Sequence, residues 1–432
     1  MEVYAIGGYG EIGKSMTAIT IGDETLVVDV GMHVEAVIAQ ELDVTKMSTK
    51  ALVQAGVFPD YRKLVGKKIV GICISHGHLD HAGAICRIVP EIGAPVYTTP
   101  FAKEVLLAEA SMIKGLPRIT VHTVKPGGKV RIGKNFEVHF IPTAHSIPDA
   151  TILGIKTREG VIAYTPDFKF DQQPVIGHKT DVAALKALAP VKVVFVDSTR
   201  IERIGTTPSE SVAKMMIEHA FACPDADGII TTTFSSQIAR ISELIDVGKR
   251  LNRQVVLLGR SLEKYTEAAR KLGYLKIKQA RIYGDAKEYK TLLSKIDKNR
   301  KNYFIICTGN QGEPNSVLGK IVDGKLPYHL GPRDWVAFCS EVIPSPINQG
   351  LREEMEAKIQ NTGARIFRDL HVSGHPSRED VRTLIRLLKP KNIIPSHGDL
   401  NKQMKVMELA MEEGYEIGKN VFILKDGQSM VL

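Results

Sequence analysis

Cysteines are few in this sequence and none of them is paired in a CxxC motif. The five are scattered along 432 residues, at Cys73, Cys86, Cys223, Cys307 and Cys339. Such spacing argues against a disulfide framework and against a zinc site built from thiolates. It favours a reducing compartment, so we expect a cytoplasmic protein.

Long apolar runs are missing as well. No stretch of about 18 apolar residues occurs, so no membrane span is expected. The N-terminus, Met1-Glu2-Val3-Tyr4, has no basic region followed by an apolar stretch, and no secretion signal is expected either. At 432 residues, with 44% hydrophobic and 24% charged residues, the chain is typical of a soluble protein with two domains.

Negative charge is in deficit. The formal net charge is +9, which favours a polyanionic partner, because a basic surface gains affinity by releasing phosphate counterions. A solvated basic surface without a partner is the alternative. Part of the excess is local and could form one exposed helix. The basic residues of that stretch are Lys287, Lys290, Lys295, Lys298, Arg300 and Lys301.

Histidine, by contrast, is concentrated in one short stretch. Residues 75–81 read Ser-His-Gly-His-Leu-Asp-His, which places three of the 13 histidines and a carboxylate within six residues. The apolar run before it predicts a buried strand, and the residues after it predict the start of a helix. Imidazole and carboxylate favour a zinc-like cation, and the lack of thiolates indicates a catalytic rather than a structural site.

Further ligand-type residues follow apolar strands later in the chain. Each of these strands delivers one polar residue at its C-terminal end, and this repetition is what a shared metal cleft needs. A further imidazole, His375, precedes a predicted helix. The strand-end residues are Asp29, His145, Asp167, Asp197 and His397.

Residues 8–15, Gly-Tyr-Gly-Glu-Ile-Gly-Lys-Ser, match the pattern of a phosphate-binding P-loop. That motif requires a helix directly after it, so that the helix N-terminus faces the phosphates. The following residues are rich in β-branched side chains and end at Gly22-Asp23, which predicts a strand. We therefore reject nucleotide binding here.

The middle of the chain has a different organisation. From about residue 206 to 364, predicted strands and helices alternate, which is typical of a parallel sheet with crossover helices. Small hydroxyl residues, among them Ser235 and Ser236, follow its strands. They could bind a phosphodiester backbone or equally serve as helix caps.

Taken together, these motifs resemble the metallo-β-lactamase superfamily. The HxHxDH pattern at 76–81 resembles its signature, and Asp197, His375 and His397 look like the further motifs of the β-CASP nucleases. The N-terminal glycine-rich segment, residues 308–314 and residues 371–375 are most similar to the RNase J family, in its short archaeal form.

The resemblance implies an α/β fold: a metallo-β-lactamase αββα sandwich with an inserted β-CASP domain. Residues 1–205 and 365–432 would form the sandwich, and residues 206–364 the inserted domain. It also implies two Zn²⁺ ions per chain, with Mn²⁺ as the alternative.

Individual roles are likewise implied by the matched motifs. His76, His78 and His145 would hold one zinc ion, while Asp80, His81 and His397 would hold the second. Asp167 would bridge them. The implied catalytic residues are Asp80, His375 as proton donor, Asp197 supporting it, and Asp29 orienting a ligand histidine. The expected contacts to the RNA end phosphate are Ser235, Ser236, Ser340, His371, Ser373 and Gly374.

The leading hypothesis for function is a zinc-dependent 5′→3′ exoribonuclease that acts on single-stranded RNA with a 5′-monophosphate. A β-CASP endoribonuclease is the first alternative, because the same site serves both. A small-ester hydrolase would not require an inserted domain, and a non-enzymatic RNA-binding scaffold would not require an intact ligand set. By resemblance we expect a homodimer that does not associate with a membrane.

Overall fold

The computed structural model describes residues 1–113, 115–278, 280–343 and 345–432. They form two compact units. The first comprises residues 1–172, 177–207 and 374–432, and the second comprises 173–176 and 208–373. The sequence predicts domain boundaries after residues 205 and 364, whereas the compact units change over after 207 and 373. The second difference arises because the strand Arg365–Phe367 pairs within the sheet of the second unit.

The elements of the first unit that precede the second unit are mostly strands. These strands are β1 (Glu2–Gly7), β2 (Tyr9–Gly10), β3 (Met16–Ile21), β4 (Glu24–Val28), β5 (Lys68–Cys73), β6 (Val96–Thr98), β7 (Val121–Thr123), β8 (Lys129–Ile132), β9 (Phe136–Pro142), β10 (Thr151–Thr157), β11 (Gly160–Thr165) and β12 (Val193–Asp197). The helices are α1 (Val34–Ala39), α2 (Thr49–Gln54), α3 (Leu79–Ala82), α4 (Ile85–Ile92), α5 (Pro100–Met112) and α6 (Val182–Lys186).

In the second unit strands and helices alternate. Its strands are β13 (Gly228–Thr232), β14 (Gln254–Leu258), β15 (Ala280–Tyr283), β16 (Tyr303–Cys307), β17 (Asp334–Phe338) and β18 (Arg365–Phe367). Its helices are α7 (Glu210–Ala220), α8 (Ile238–Arg250), α9 (Arg260–Lys271), α10 (Ala286–Asp297), α11 (Val317–Val322) and α12 (Pro346–Asn361). The chain then returns to the first unit with α13 (Arg378–Leu388), β19 (Asn392–Ser396), β20 (Gly398–Asp399), α14 (Leu400–Glu412) and β21 (Ser429–Val431).

Two sheets pack face to face in the first unit. Their strand orders are β21-β1-β3-β4-β5-β6-β7 and β19-β12-β11-β10-β9-β8. Alternate side chains of both sheets enter one shared apolar core, for example Ile19 and Leu26 from one sheet and Phe140 and Phe195 from the other. This is the packing of a sandwich whose inner faces interdigitate.

Helices cover both outer faces of this sandwich. Leu52 of α2 and Ile88 of α4 belong to a core with Ile72 of the first sheet. On the other side, Leu384 of α13 and Leu409 of α14 belong to a core with the strands β12 and β19. The layers are therefore helix, sheet, sheet and helix, which confirms the predicted αββα arrangement.

The second unit is built on a parallel sheet of order β15-β14-β16-β13-β17-β18. Crossover helices connect its strands, and an apolar core that includes Leu293 of α10 and Ile359 of α12 packs on one of its faces. The predicted parallel sheet with crossover helices is thus confirmed. Among the residues that the structure describes, we find no helix whose length and hydrophobicity would let it span a bilayer.

The P-loop-like segment is followed by a strand, β3, as the sequence predicts. No helix therefore follows it directly. Instead its short strand β2 pairs with β20, and the carbonyl oxygen of Gly8 accepts a hydrogen bond of 2.8 Å from the backbone N–H of His397. The segment thus binds the returning C-terminal part of the first unit.

Replacing Phe195 by alanine should destabilise the sandwich strongly. The ring is 1% exposed, lies between the two sheets and contacts Tyr9 and Tyr164, so its removal leaves a cavity. We expect a loss of about 3–5 kcal/mol in the free energy of unfolding, measured by urea denaturation. Met411→Ala, at a side chain that is 54% exposed, is the control and should change it by less than about 0.5 kcal/mol. Equal effects of the two variants would contradict the assignment of Phe195 to the core.

Candidate metal centre

The histidine-rich stretch lies where β5 ends and the short helix α3 begins. β5 ends in buried apolar residues, and His76 and His78 follow in the loop. His78 is the N-cap of α3 and has extended backbone angles, so the chain turns into the helix there. Asp80 and His81 lie in the first turn of α3. Because the backbone changes from extended to helical at His78, the pair His76 and His78 points in a different direction from the pair Asp80 and His81.

The remaining candidates follow neighbouring strands of the second sheet. Asp167 follows β11, Asp197 is the last residue of β12, and His397 follows β19. These three strands are parallel neighbours, so their C-terminal ends meet at one edge of the sheet. His145 follows β9 of the same sheet. Topology thus gathers residues that are far apart in the sequence.

Three imidazoles converge on one oxygen of Asp167, and we call these four residues the first group. The distances to Asp167 Oδ2 are 3.5 Å from His76 Nε2, 3.8 Å from His78 Nδ1 and 3.2 Å from His145 Nε2. The three nitrogens are also close together, because His78 Nδ1 lies 3.0 Å from His76 Nε2 and 3.1 Å from His145 Nε2. Such convergence is typical of ligands around one cation.

A second group surrounds the other oxygen of Asp167 and contains Asp80, His81 and His397. His81 Nε2 lies 3.2 Å, and His397 Nε2 lies 3.6 Å, from Asp167 Oδ1. Asp80 Oδ2 lies 3.7 Å from His81 Nε2 and 3.4 Å from His397 Nε2. Asp167 therefore presents one oxygen to each group.

Both groups fit a divalent cation. In each, the ligand atoms lie within 4.8 Å of one another. Three of these ligand atoms, His81 Nε2, Asp167 Oδ1 and His397 Nε2, are buried and make no hydrogen bond with any described residue. Leaving buried polar atoms unsatisfied is costly, and a cation between them would remove that cost. Imidazole nitrogens with carboxylate oxygens are also the donors that zinc-like cations prefer.

Asp29 positions two of the histidines through their Nδ1 atoms, on the side of each ring that faces away from Asp167. Its Oδ2 lies 2.7 Å from His81 Nδ1, and both of its oxygens accept hydrogen bonds from Ser75, at 2.8 and 2.9 Å. Ser75 Oγ lies in turn 3.0 Å from His76 Nδ1. Because each ring is bound at Nδ1, its Nε2 is the nitrogen turned toward Asp167. Asp29 thus contacts one histidine from each group, one of them through Ser75.

Two further partners bind the far nitrogens of ligand histidines. Gly374 places its carbonyl oxygen 2.8 Å from His145 Nδ1, and Ser15 Oγ lies 3.2 Å from His397 Nδ1. The sequence alone predicts no role for Ser15 or Ser75. Ser75 stands next to His76 and could have been suspected, whereas Ser15 is hidden in the P-loop-like segment.

His375 lies beside both groups. Its Nδ1 is 2.9 Å from Asp197 Oδ2, and its Nε2 is 3.9 Å from Asp167 Oδ2. Burial lowers the pKa of His375, but the charges of Asp167 and Asp197 outweigh it and raise the pKa to about 9. Burial raises the pKa of Asp167, yet the surrounding histidines, His81 foremost, hold it well below its usual range. The site thus favours a protonated imidazole next to an ionised carboxylate.

The expected RNA contacts are divided between the two units. Ser235, Ser236, Ser340, His371 and Ser373 lie in the second unit and Gly374 in the first. Ser235 Oγ donates a hydrogen bond of 3.1 Å to Ser261 Oγ, while Ser340 Oγ is buried and has no partner among the described residues. A contact of any of these residues with RNA stays a prediction.

Family models match all three parts of the chain. Residues 9–165 match the metallo-β-lactamase superfamily, residues 226–352 match the β-CASP domain of ribonuclease J, and residues 363–424 match the Zn-dependent metallo-hydrolase RNA specificity domain. A solved structure of a protein of unknown function from Enterococcus faecalis covers 100% of this chain with a TM-score of 0.67. The match extends over 99% of the Enterococcus faecalis chain at 17% identity, so it supports the fold alone.

Several similar proteins bear the name ribonuclease J. The one from Pyrococcus abyssi is 41% identical over 99% of this chain and 96% of its own length, and the one from Methanocaldococcus jannaschii is 37% identical over 100% and 98%. The Helicobacter pylori protein is 31% identical over 100% of this chain, but only 60% of its own length is matched. The chain therefore belongs to the ribonuclease J family, the metal-dependent ribonucleases in which a metallo-β-lactamase fold carries an inserted β-CASP domain.

Proposed function

We propose that this protein is a zinc-dependent 5′→3′ exoribonuclease that degrades RNA with a 5′-monophosphate. The observation that carries the proposal is the position of Asp167, whose two oxygens each face a separate group of imidazole ligands. Two adjacent cation sites joined by one carboxylate are typical of enzymes that cleave phosphodiesters. The RNA substrate follows from the family to which the chain belongs.

The first group would hold one zinc ion and the second group the other, with Asp167 bridging them. Two divalent cations supply Lewis-acid chemistry, since they make a water molecule nucleophilic at neutral pH and screen the charge of the phosphate. The chain positions these ligands through Asp29, Ser75, Ser15 and the carbonyl of Gly374. Mn²⁺ accepts the same donors and is the alternative to zinc.

His375 is suited to donate a proton to the departing 3′ oxygen of the RNA. Its Nδ1 is bound by Asp197, which fixes the ring, and its Nε2 is directed toward Asp167. A group in this position can protonate the leaving atom while water attacks from the other side. Asp197 then acts by orienting His375 and by stabilising its charged form.

We assign recognition of the 5′-monophosphate to the hydroxyl, imidazole and backbone donors that follow the strands β13, β17 and β18. Such donors suit a terminal phosphate. Ser235, Ser236, Ser340, His371, Ser373 and Gly374 are the proposed contacts.

A β-CASP endoribonuclease remains the second candidate, because the same cation sites would serve an internal linkage. We further propose that the enzyme works as a cytoplasmic homodimer; the scattered cysteines support the compartment, and family resemblance supports the dimer.

Removing the shared carboxylate should cost more metal than removing an unshared one. We expect Asp167→Ala to retain less than one zinc ion per chain and Asp80→Ala to retain about one, because Asp167 is the one described residue that faces both groups. Zinc per chain is measured by elemental mass spectrometry after dialysis. Asp181→Ala, which removes only a helix cap, is the control and should retain the full complement. Full zinc occupancy in Asp167→Ala would refute the two-site assignment.

Replacing His375 should slow catalysis without removing metal. We expect His375→Gln to lower kcat about 10²- to 10⁴-fold, the usual contribution of a general acid, with zinc per chain unchanged. Asp197→Asn should lower kcat less, because it weakens only the support of His375. If His375→Gln lost zinc in parallel with activity, His375 would be a ligand and not the proton donor.

The direction of cleavage can be determined with end-labelled RNA. We expect a 5′-labelled single strand that carries a monophosphate to release labelled mononucleotides at the earliest times, and triphosphate and hydroxyl ends to react more slowly. Product lengths are measured on denaturing gels, and Asp80→Ala serves as the inactive control. Internal fragments that precede mononucleotides would favour the endonuclease instead.

A further inference from the structure

The positive charge of this chain is concentrated in one segment. Residues 260–301 contain thirteen Lys or Arg and five Asp or Glu, a net charge of +8, while the whole chain carries +9. A segment that makes up about a tenth of the length thus accounts for nearly all of the excess. The rest of the sequence is almost neutral, so the polyanion preference expected from the composition belongs to a definite place in the fold.

That place is one edge of the sheet in the second unit. Among the described strands, β15 lies at the edge of this sheet and pairs with β14. α9 precedes β15 in the chain and α10 follows it, and both helices contact this strand. Tyr289, Leu293 and Ile296 attach α10 to the apolar core. The opposite side of α10 is therefore its solvent side.

This solvent side of α10, which we call the lysine face, contains lysines and small hydroxyl residues. At 100° per residue, Lys287, Lys290, Lys295 and Lys298 share an arc of about 140°. Only Thr291 and Ser294 lie between them, and no carboxylate falls within the arc. The acids that flank the arc are Glu288, beyond Lys295, and Asp297, beyond Lys290, and Asp297 already binds Arg300 and His329.

The charges of the lysine face are not compensated within the protein. All four lysines are exposed, and among the described residues we find no ion pair for any of them. Some exposed lysines elsewhere are paired, as Lys68 is with Asp23 and Lys358 with Glu354. Like charges three or four residues apart on a helix are destabilising. Four such lysines without a counter-charge are what a surface for a polyanion requires.

We propose that the lysine face binds the phosphate backbone of RNA as a contact separate from the metal centre. The inference rests on the proposed function only for the identity of the polyanion. From Lys287 to Lys298 the helix rises by about 16 Å, which matches about five phosphates of a stacked strand at about 3.4 Å each. Lysines are flexible point charges that suit a backbone without regard to sequence. A protein partner would need apolar or aromatic anchors, and the face offers none.

The test removes the four charges from the full-length, metal-loaded protein. Lys287, Lys290, Lys295 and Lys298 are changed together to Gln, and a second variant changes the same four residues to Arg. The matched control changes four exposed lysines of the first unit, Lys50, Lys63, Lys186 and Lys391, to Gln. The probe is a 30-nucleotide single-stranded RNA with phosphorothioate linkages that resist hydrolysis, and its Kd is measured from 50 to 200 mM salt.

We expect the glutamine variant of the lysine face to bind this RNA about tenfold more weakly or worse, with a slope of log K against log salt shallower by about 2 to 3. The arginine variant and the matched control should keep the affinity within about twofold and retain the original slope. Hydrolysis of a 5′-phosphorylated dinucleotide should be unchanged in all three, because so short a substrate carries too few phosphates to use the face.

The proposal is overturned if the glutamine variant and the matched control show the same affinity and slope, or if the arginine variant loses as much as the glutamine variant. It is also overturned if the substitutions abolish binding to polyglutamate while RNA binding persists, since the face would then serve an acidic protein. Because the binding measurements involve no cleavage, they assess the lysine face even if the chain should prove to be an endonuclease.

Discussion

The carboxylate of Asp167 is the contact on which the rest of the centre depends. It is buried, and each of its two oxygens faces a different set of imidazoles. Its position is set by β11, whose parallel neighbours β12 and β19 deliver Asp197 and His397 at the same edge. A shift of β11 against either neighbour would therefore misplace both groups at once. Because each strand supplies only one side chain to the site, the sandwich of two sheets must hold these strands rigidly in place.

Much of the fold, and the set of candidate ligands that the structure brings together, is readable from the sequence, because those signals are local. The HxHxDH stretch contains four candidate ligands within six residues, and apolar strands that end in Asp or His indicate the others. The alternation in the middle of the chain predicts a parallel sheet, and the residues after Lys14-Ser15 predict a strand and not a helix. Each of these inferences uses residues that are close together in the sequence.

The supporting contacts could not be read in the same way, because they join distant residues. Ser15 and His397 are 382 positions apart, and Gly374 meets His145 across 229 positions. Nothing in the local pattern of Ser15 distinguishes it from the last residue of a phosphate loop. The basic stretch was visible as composition, yet only the helix α10 reveals that its lysines share one face. The strand β18 is a second example. The sequence predicts residues 365–432 to belong to the sandwich, whereas β18 pairs with β17 of the second unit, a contact between residues about 30 positions apart.

The pairing of β2 with β20 has a consequence for the order in which the centre is assembled. Synthesis runs from the N-terminus, and domains fold as they emerge. The four residues of the first group are all made before the second unit, whereas His397 is made after it and is held by Gly8 from the start of the chain. A nascent chain therefore contains every residue of the first group while the second group still lacks a member. A nuclease arranged in this way completes its centre only once the ribosome has passed most of the message that encodes it.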